Sequence, residues 1–136
     1  MVDQNNNKAI HITLWIAQGL LAVMFIMAGG MKASQPIEVL AESLPWVTSI
    51  PLGLVRFIGI SEFLGGIGLL LPSLLRFKPF LTAWAAIGLA AIMVLAAIFH
   101  VSRGEFSTIG MNVVLMAIAV FIAWGRSKKA PILSKH

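Results

Sequence analysis

Four long apolar runs, separated by short polar segments, dominate the pattern of hydrophobic and polar positions along the chain. They cover residues 10–30, 51–71, 79–99 and 106–124, and each is close to the roughly 20 residues that a helix needs to cross a bilayer. In lipid every backbone polar group needs a partner within the protein, so such runs form helices unless the chain closes into a barrel. The alternation of apolar and polar residues typical of barrel strands is not seen. The pattern therefore predicts an all-α, integral membrane four-helix bundle, with residues 1–136 forming a single membrane domain.

The polar segment over residues 32–50, KASQPIEVLAESLPWVTSI, is the one connection long enough to hold structure of its own. Glu38 and Glu42 fall on one side of it, and apolar residues recur at helical spacing on the other side: Ile37, Leu40, Ala41 and Leu44. This pattern predicts a short amphipathic helix in the first outer loop, anchored at the membrane surface by Trp46. The same helix could instead fold over the bundle as a lid.

Three prolines predict where the membrane helices begin and end. Pro51 and Pro79 open the second and third apolar runs, where a first-turn proline loses no helical hydrogen bond. Pro72 follows the second run and is predicted to close that helix, because proline interrupts the hydrogen-bond ladder of a helix interior.

The composition agrees with a membrane protein. Of 136 residues, 59% are hydrophobic and 11% are charged, and the mean hydropathy is +0.94. A soluble domain is nearer half apolar and a quarter charged, and a chain of this length could not bury so much apolar surface in its own core. The net charge of +5 does not indicate nucleic-acid binding, because the basic residues flank apolar runs. The expected partner is a lipid bilayer, and no nucleic acid is expected.

The basic residues predict an orientation for the bundle. Only Lys32 and Arg103 flank one side, whereas seven of the ten basic residues flank the other: Lys8, Arg76, Lys78, Arg126, Lys128, Lys129 and Lys135. The positive-inside rule therefore places both termini in the cytoplasm. The chain is expected to be a multi-pass protein of the bacterial inner membrane.

Two charged residues interrupt the second apolar run, VRFIGISEFLGGIGLLLP. Ionisable residues within a span cost roughly 2.5–3.5 kcal/mol each and usually face the bundle interior. Glu62 shares one helical face with small and apolar residues: Val55, Gly59, Gly66 and Leu69. Near the membrane midplane it is expected to be either protonated and hydrogen-bonded or charged and paired. The candidate partners are Gln18, at a similar predicted depth, and Arg56, one to two turns away.

A second polar layer is predicted nearer the outer surface, where Arg56, His100 and Asn112 come from three different helices to about the same depth. These three residues are expected to line one polar cavity that opens to the outside. Two of the three have a simpler interpretation: Arg56 could extend to the outer headgroups, and His100 could be an ordinary residue at a helix end. Arg103 and Glu105 could be a solvated loop pair that contributes little to stability.

Several kinds of chemistry are disfavoured by the sequence. The chain has no cysteine, which removes disulfides, thiolate nucleophiles and cysteine-ligated metal clusters. Haem held between two histidines is excluded, because His11 and His100 are predicted at opposite ends of the bundle. No metal site is expected, since the remaining carboxylates have no recognisable ligand spacing. Phosphate loops, dinucleotide fingerprints and nucleophile motifs are absent from the sequence, so no catalytic residue is assigned.

A family resemblance covers roughly residues 14–126. FIMAGGMK, LPW, RFIGISEFLGGIGLLLP, FHVSRGEF and MNVVL with FIAWGR together resemble the DoxX-like family of small four-helix membrane proteins. The second-helix block, with its glutamate, glycines and terminal proline, is the specific part of this likeness. Relatives in this family include subunits of a thiosulfate:quinone oxidoreductase and members of membrane oxidoreductase assemblies with superoxide dismutase and a sulfurtransferase. The resemblance therefore implies a subunit of a membrane redox system. A more distant relative is a chaperone for receptor assembly, which is not an enzyme, so the resemblance is also compatible with a non-enzymatic role. The resemblance assigns no proven catalytic residues to these positions.

Two functions are expected on these grounds. The first is a quinone- or small-molecule-binding subunit associated with membrane redox chemistry, with Arg56, Glu62, His100, Asn112 and Gln18 as ligand-binding candidates. Quinone is then the candidate cofactor, none being intrinsic to the chain, and the protein is not expected to be an autonomous enzyme. The second is a non-enzymatic interaction or assembly protein, chaperone-like in action. It would contact a membrane protein partner, or a copy of itself, through small-residue faces such as Thr82, Ala86 and Ala90.

Overall fold

The computed structural model describes the backbone of residues 4–134 and the side chains from residue 8 onwards. Within this range the helices are α1 (Gln4–Ser34), α2 (Ile37–Ser43), a 3₁₀ helix (Pro45–Ser49), α3 (Leu52–Leu75), α4 (Phe80–Ser102), α5 (Phe106–Trp124) and a π-helical turn (Gly125–Lys129). Four helices of the described chain, α1, α3, α4 and the α5 region, are long and apolar enough to cross a membrane. The predicted all-α membrane bundle is confirmed. Lys135, one of the residues behind the predicted orientation, lies outside the described residues.

The four long helices pack in chain order around one apolar core. α1 packs along α3, α3 contacts α4, α4 lies against α5, and α5 returns to α1. The core is formed by buried aliphatic and aromatic side chains from all four helices, including Leu21, Phe25, Leu69, Leu89 and Ile122. The outward-facing side chains are largely apolar and exposed, as lipid-facing positions require.

Close packing of α1 and α3 depends on glycine. A Cβ added at Gly59 would lie 2.6 Å from the Ala33 backbone nitrogen and 2.7 Å from the Lys32 Cβ. One added at Gly66 would lie 3.0 Å from the Ala22 carbonyl oxygen. The two backbones therefore approach as closely as small residues allow, which is how helices associate when lipid surrounds them.

The inward face of α3 is the one that the sequence predicts. Its buried residues are Val55, Gly59, Glu62, Gly66, Leu69 and Ser73, so the glutamate does face the interior. The small-residue face proposed on α4 is not available to a partner in the form expected. Thr82 and Ala86 are fully buried inside the bundle, and Ala90 packs against the core.

The prolines behave differently from one another. Pro51 and Pro79 occupy the position just before α3 and α4, one residue earlier than the first turn. The expectation that Pro72 closes the second membrane helix is wrong, because α3 continues through Pro72 to Leu75. The helix ends instead at Arg76, whose φ of 53° is left-handed and whose N–H donates to the Pro72 carbonyl.

The two ends of the bundle differ in character. One end, called the loop end, is covered by α2 and the 3₁₀ helix, and there Leu40 and Val47 pack against Val55 of α3. The opposite end, called the basic end, is where α1 begins and α5 ends. It carries six of the described basic residues: Lys8, Arg76, Lys78, Arg126, Lys128 and Lys129.

Candidate functional site

A cavity of about 470 Å³ opens at the loop end, between α3, α4, α5 and the segment that contains the 3₁₀ helix. Its size falls within the range of roughly 300–1,000 Å³ that small-molecule sites occupy. Most of the wall is aliphatic and aromatic, and the polar side chains are few: Lys32, Ser61, Glu62, His100, Thr108 and Asn112. An apolar cavity with a small number of polar groups is the usual form of a small-molecule site.

Glu62 forms an ion pair with a residue that sequence reasoning did not consider as its partner. The Lys32 Nζ lies 2.7 Å from the Glu62 Oε1, and the two side chains are only 12% and 2% exposed. The predicted partners, Gln18 and Arg56, are both wrong. α1 and α3 run antiparallel, so the last turns of α1 lie beside the middle of α3, and Lys32 reaches Glu62 from there.

Arg56 is not among the residues that line the cavity. Its Nη1 donates a 2.9 Å hydrogen bond to the Lys32 carbonyl oxygen, near the C-terminal end of α1. A cation at this position satisfies one of the last helix carbonyls and faces the negative end of the helix dipole. The expectation that Arg56 shares a cavity with His100 and Asn112 is therefore wrong for Arg56, although the other two do share one. The arginine contributes indirectly, since it fixes the backbone that carries Lys32.

His100 is buried near the end of α4, with 6% of its surface exposed. Its Nδ1 lies 3.1 Å from the Glu105 Oε1, which also accepts a 2.8 Å hydrogen bond from the Arg103 Nε. The hydrogen bonds from His100 and then Arg103 lower the pKa of Glu105 below its ordinary value. Trp46 meets the His100 ring edge-on, with the ring centroids 6.2 Å apart. His100 is thus held on two sides, and its second ring nitrogen has no hydrogen-bond partner among the described residues.

Asn112 carries the one buried polar side-chain atom that lacks a hydrogen-bond partner among the described residues. That atom is the amide nitrogen Nδ2, and the residue lines the cavity from α5. Leaving a buried donor unpaired costs about 1–3 kcal/mol, so such groups are rare in folded proteins. A ligand that brings an acceptor into the cavity would remove this penalty.

Gln18 lies at the other end of the bundle. Its Nε2 donates to the Leu69 carbonyl oxygen at 2.6 Å and to the Ser73 Oγ at 3.3 Å. Its Oε1 accepts a 2.6 Å hydrogen bond from the Arg126 Nε. Ser73 in turn is 2.7 Å from the Thr82 hydroxyl, so this buried network joins all four membrane helices. Gln18 is therefore a structural residue of the basic end and no part of the cavity that Glu62 lines.

Lys32 and Arg126 are the interior charges that sequence reasoning missed, because both were used only to predict orientation. Helical spacing contains a signal for each. Lys32 follows the buried residues Phe25 and Gly29 at intervals of seven and three, and Arg126 follows Ala119 at an interval of seven. A basic residue in phase with the core face of its helix is a candidate interior charge.

The chemistry available at the cavity is binding through hydrogen bonds. It offers an amide donor at Asn112, an imidazole nitrogen at His100, and an ion pair at Lys32 and Glu62. No three His, Asp or Glu side chains come together to hold a metal ion in the part of the chain that the structure describes. The arrangement therefore suits an apolar molecule that carries a few acceptor or hydroxyl groups.

The sequence profile of the DoxX-like family matches residues 16–122, which is most of the chain, and the chain therefore belongs to the DoxX-like family. The matched region contains the four polar residues of interest at the cavity, Lys32, Glu62, His100 and Asn112, but neither His11 nor Arg126. No curated protein and no solved structure matched the chain.

Proposed function

We propose that this member of the DoxX-like family binds a largely apolar small molecule of the quinone class in the cavity at the loop end. It acts as the binding subunit of a membrane redox system and does not catalyse a reaction alone. The sequence contains no cysteine, so electrons that reach or leave the bound molecule would pass through a cofactor of a partner protein.

The observation that carries this proposal is the unpaired Nδ2 of Asn112 in a mostly apolar cavity of about 470 Å³. Quinones combine an apolar ring and chain with carbonyl oxygens that accept hydrogen bonds. A carbonyl oxygen that receives the Asn112 N–H would satisfy the buried donor, while the ring and chain would contact the aliphatic and aromatic wall. The ligand thus supplies what the protein lacks at this position.

His100 suits both redox forms of such a ligand. Its Nδ1 contacts Glu105, which leaves Nε2 for a bound molecule. A neutral imidazole with its proton on Nδ1 accepts a hydrogen bond at Nε2 from a quinol hydroxyl, and a protonated imidazole donates from Nε2 to a quinone carbonyl. Trp46 and Phe99 hold the ring in place through edge-on contacts.

The alternative is a chaperone-like protein that assembles other membrane proteins. The small-residue face of α4 that was expected to contact a partner lies inside this chain's own bundle, since Thr82 and Ala86 are fully buried. The cavity with its unpaired donor therefore favours ligand binding.

Thermal unfolding in detergent, with and without a short-chain quinone, tests the proposal. The wild type should be stabilised by the quinone, because a ligand that binds only the folded state raises the free energy of unfolding. Asn112→Leu keeps a similar side-chain volume but removes the donor, and it should weaken quinone binding by roughly tenfold. Without quinone the variant should be as stable as the wild type or slightly more stable, since no protein acceptor loses its partner.

Ser107→Leu is the matched control, because Ser107 lies on α5 but is exposed and does not line the cavity. It should keep the full response to quinone. A wild type that does not respond to quinone, or an Asn112→Leu variant that responds as strongly as the wild type, would contradict the proposal.

A further inference from the structure

A second cavity, of about 540 Å³, lies at the basic end of the bundle. One wall is the first half of α4, including Phe80, Trp84 and Ile87, and the other wall is the segment after α5. Arg126 and Ser127 contribute polar surface between the two. None of these residues lines the cavity at the loop end, so this site is independent of the function proposed above.

Arg126 is a buried cation without a carboxylate partner among the described residues. It is 5% exposed, and its Nε and Nη1 contact neutral acceptors: the Gln18 Oε1, the His11 Nδ1 and the Ala130 carbonyl oxygen. Nη2 has a single long contact of 3.5 Å with the His11 carbonyl oxygen. Burying a charge without a countercharge is costly, and the planar guanidinium group retains capacity for an oxyanion such as phosphate.

The charges that the described residues place around this cavity are all of one sign. The four acidic residues within the described chain are Glu38, Glu42, Glu62 and Glu105, which belong to α2, the middle of α3 and the connection between α4 and α5. The basic end has none of them. A cleft lined by a buried arginine and flanked by Arg76, Lys78, Lys128 and Lys129 concentrates positive potential. Basic pockets of this kind between membrane helices are suited to anionic lipid headgroups.

The remaining wall suits a hydrocarbon chain. Trp84 is 66% exposed, Phe80 is 57% exposed and Ile87 is 53% exposed, and all three lie on the side of α4 that borders the cavity. Tryptophan is enriched where the headgroup region meets the hydrocarbon region of a bilayer. The cleft therefore combines a cation at its polar part with an apolar strip along α4.

The segment after α5 is fixed in place across the cavity. The Arg76 Nε donates a 3.0 Å hydrogen bond to the Leu133 carbonyl oxygen, which ties this segment to the turn between α3 and α4. The π-helical turn Gly125–Lys129 precedes it, and the Ala130 N–H donates to the Gly125 carbonyl oxygen at 2.7 Å. π-Helical turns occur frequently at functional sites. The cavity is thus bounded by ordered backbone on both sides.

From these observations we infer that the cavity at the basic end binds one anionic phospholipid. Arg126 holds the headgroup phosphate, and an acyl chain lies along Trp84 and Ile87. Phosphate is the group that fits the guanidinium, and the lipid is the source that also accounts for the exposed aromatic wall.

The test measures thermal unfolding of the detergent-purified protein during titration with dioleoyl phosphatidylglycerol, dioleoyl phosphatidylcholine or inorganic phosphate. Phosphatidylglycerol should raise the unfolding temperature, whereas phosphatidylcholine and inorganic phosphate should have little effect. An equal response to both lipids would overturn the charge-based assignment. A full response to inorganic phosphate alone would overturn the assignment to a lipid.

Variants at Ser127 distinguish lipid binding in this cavity from a general attraction of anionic lipid to the basic surface. Ser127 is exposed and lines the cavity, so Ser127→Asp places a carboxylate beside Arg126, and Ser127→Asn is the neutral control of the same size. Lys128→Gln removes one charge from an exposed residue that does not line the cavity. The Asp variant should lose at least about tenfold in apparent affinity for phosphatidylglycerol, while the Asn variant keeps it and Lys128→Gln loses at most about fivefold. Equal losses for Ser127→Asp and Lys128→Gln would show attraction to the surface charge as a whole and would overturn the inference.

Discussion

Lys32 and Glu62 explain, at the scale of single residues, how a glutamate is accommodated in an apolar span. Separately, each charge would be expensive so far from water. Together they form a 2.7 Å ion pair whose two members are almost fully buried. The Lys32 ammonium also lies 5.8 Å from the centre of the Trp46 ring, which links the pair to the 3₁₀ segment that lines the cavity.

Removing one member of this pair should destabilise the protein more than removing both. Lys32→Met or Glu62→Leu alone leaves a buried charge without its partner, and each should lower the free energy of unfolding by about 3 kcal/mol. The double variant replaces the pair with apolar groups and should recover most of this loss. Glu62→Gln retains an acceptor for the ammonium and should be intermediate. Unfolding of the four variants in detergent gives the coupling energy, and purely additive single losses would contradict a direct pair.

Glu105 gives the stability a dependence on pH. Its pKa is lowered from an ordinary value of 4.5 by the hydrogen bonds from His100 and then Arg103. A folded-state pKa below the unfolded one contributes stability that is present above about pH 4.5 and is lost as the pH falls through the lower, folded value. Acidification from about pH 7 to about pH 3 should therefore lower the unfolding temperature of the wild type more than that of Glu105→Gln. Parallel declines would show that this carboxylate does not contribute.

Residue patterns alone predicted some partners and not others. The face of α3 that carries Glu62 follows from helical phase, because spacing along one helix fixes which side chains point together. The pairing of Glu62 with Lys32 could not be predicted in the same way. It depends on how far α1 slides along α3, and that offset is set by the fit of Gly59 and Gly66 against the α1 backbone.

At the scale of helices, the approach of α1 to α3 is the contact most sensitive to substitution. Gly59→Ala would place a methyl group 2.6 Å from the Ala33 backbone nitrogen, so one helix must move. The expected loss is about 1–3 kcal/mol of unfolding free energy, as for other overpacked interiors. Because the shift also moves Lys32, quinone binding at the loop end should weaken as well.

Gly88→Ala is the control for this substitution. Gly88 lies inside α4 with nothing within 4 Å of its added Cβ, so alanine should stabilise the helix by up to about 1 kcal/mol. Thermal melts of the two variants should therefore shift in opposite directions. A Gly59→Ala variant as stable as the wild type would show that the helices are not in close contact at this point.

The helices themselves were predictable because lipid leaves the backbone few alternatives. Their ends were less so. Pro72 removes a single N–H from the ladder near the end of α3, which the helix tolerates, and the left-handed Arg76 ends it four residues later. The π-helical turn after α5 has no counterpart in the hydrophobic pattern. The burial of Arg126 within it was missed because Arg126 was counted only among the residues that predict orientation, although it lies seven residues after the buried Ala119.

At the scale of the whole molecule, the charge distribution predicts how the bundle sits in the membrane. The described basic residues concentrate at the end where α1 begins and α5 ends, and both termini are predicted to be cytoplasmic. A reporter that is active only in the periplasm, fused after His136, should therefore stay silent, and the same reporter inserted after Gly104 should be active. Activity of the C-terminal fusion would reverse the orientation and place the cavity at the loop end on the cytoplasmic side.

The candidate site was only partly predictable at this scale. His100 and Asn112 were expected at one depth from helix directions alone, and they do line one cavity. Arg56 was grouped with them by depth, and Gln18 was grouped with Glu62, but depth does not specify the side of the bundle on which a residue lies. The packing order of the helices decides the side. It brings Arg56 of α3 against the C-terminal end of α1, and it brings Gln18 into the hydrogen-bond network of Arg126.

The most direct test of the proposed binding function is the quinone content of the purified protein. Ala96 lines the cavity, so Ala96→Phe should fill it, whereas Ala91→Phe places the same side chain at an exposed position of α4 as the control. Mass spectrometry of lipid extracts should find quinone with the wild type and with Ala91→Phe, and about tenfold less with Ala96→Phe. Equal quinone content in the wild type and Ala96→Phe, or none in any of the three, would contradict binding in this cavity.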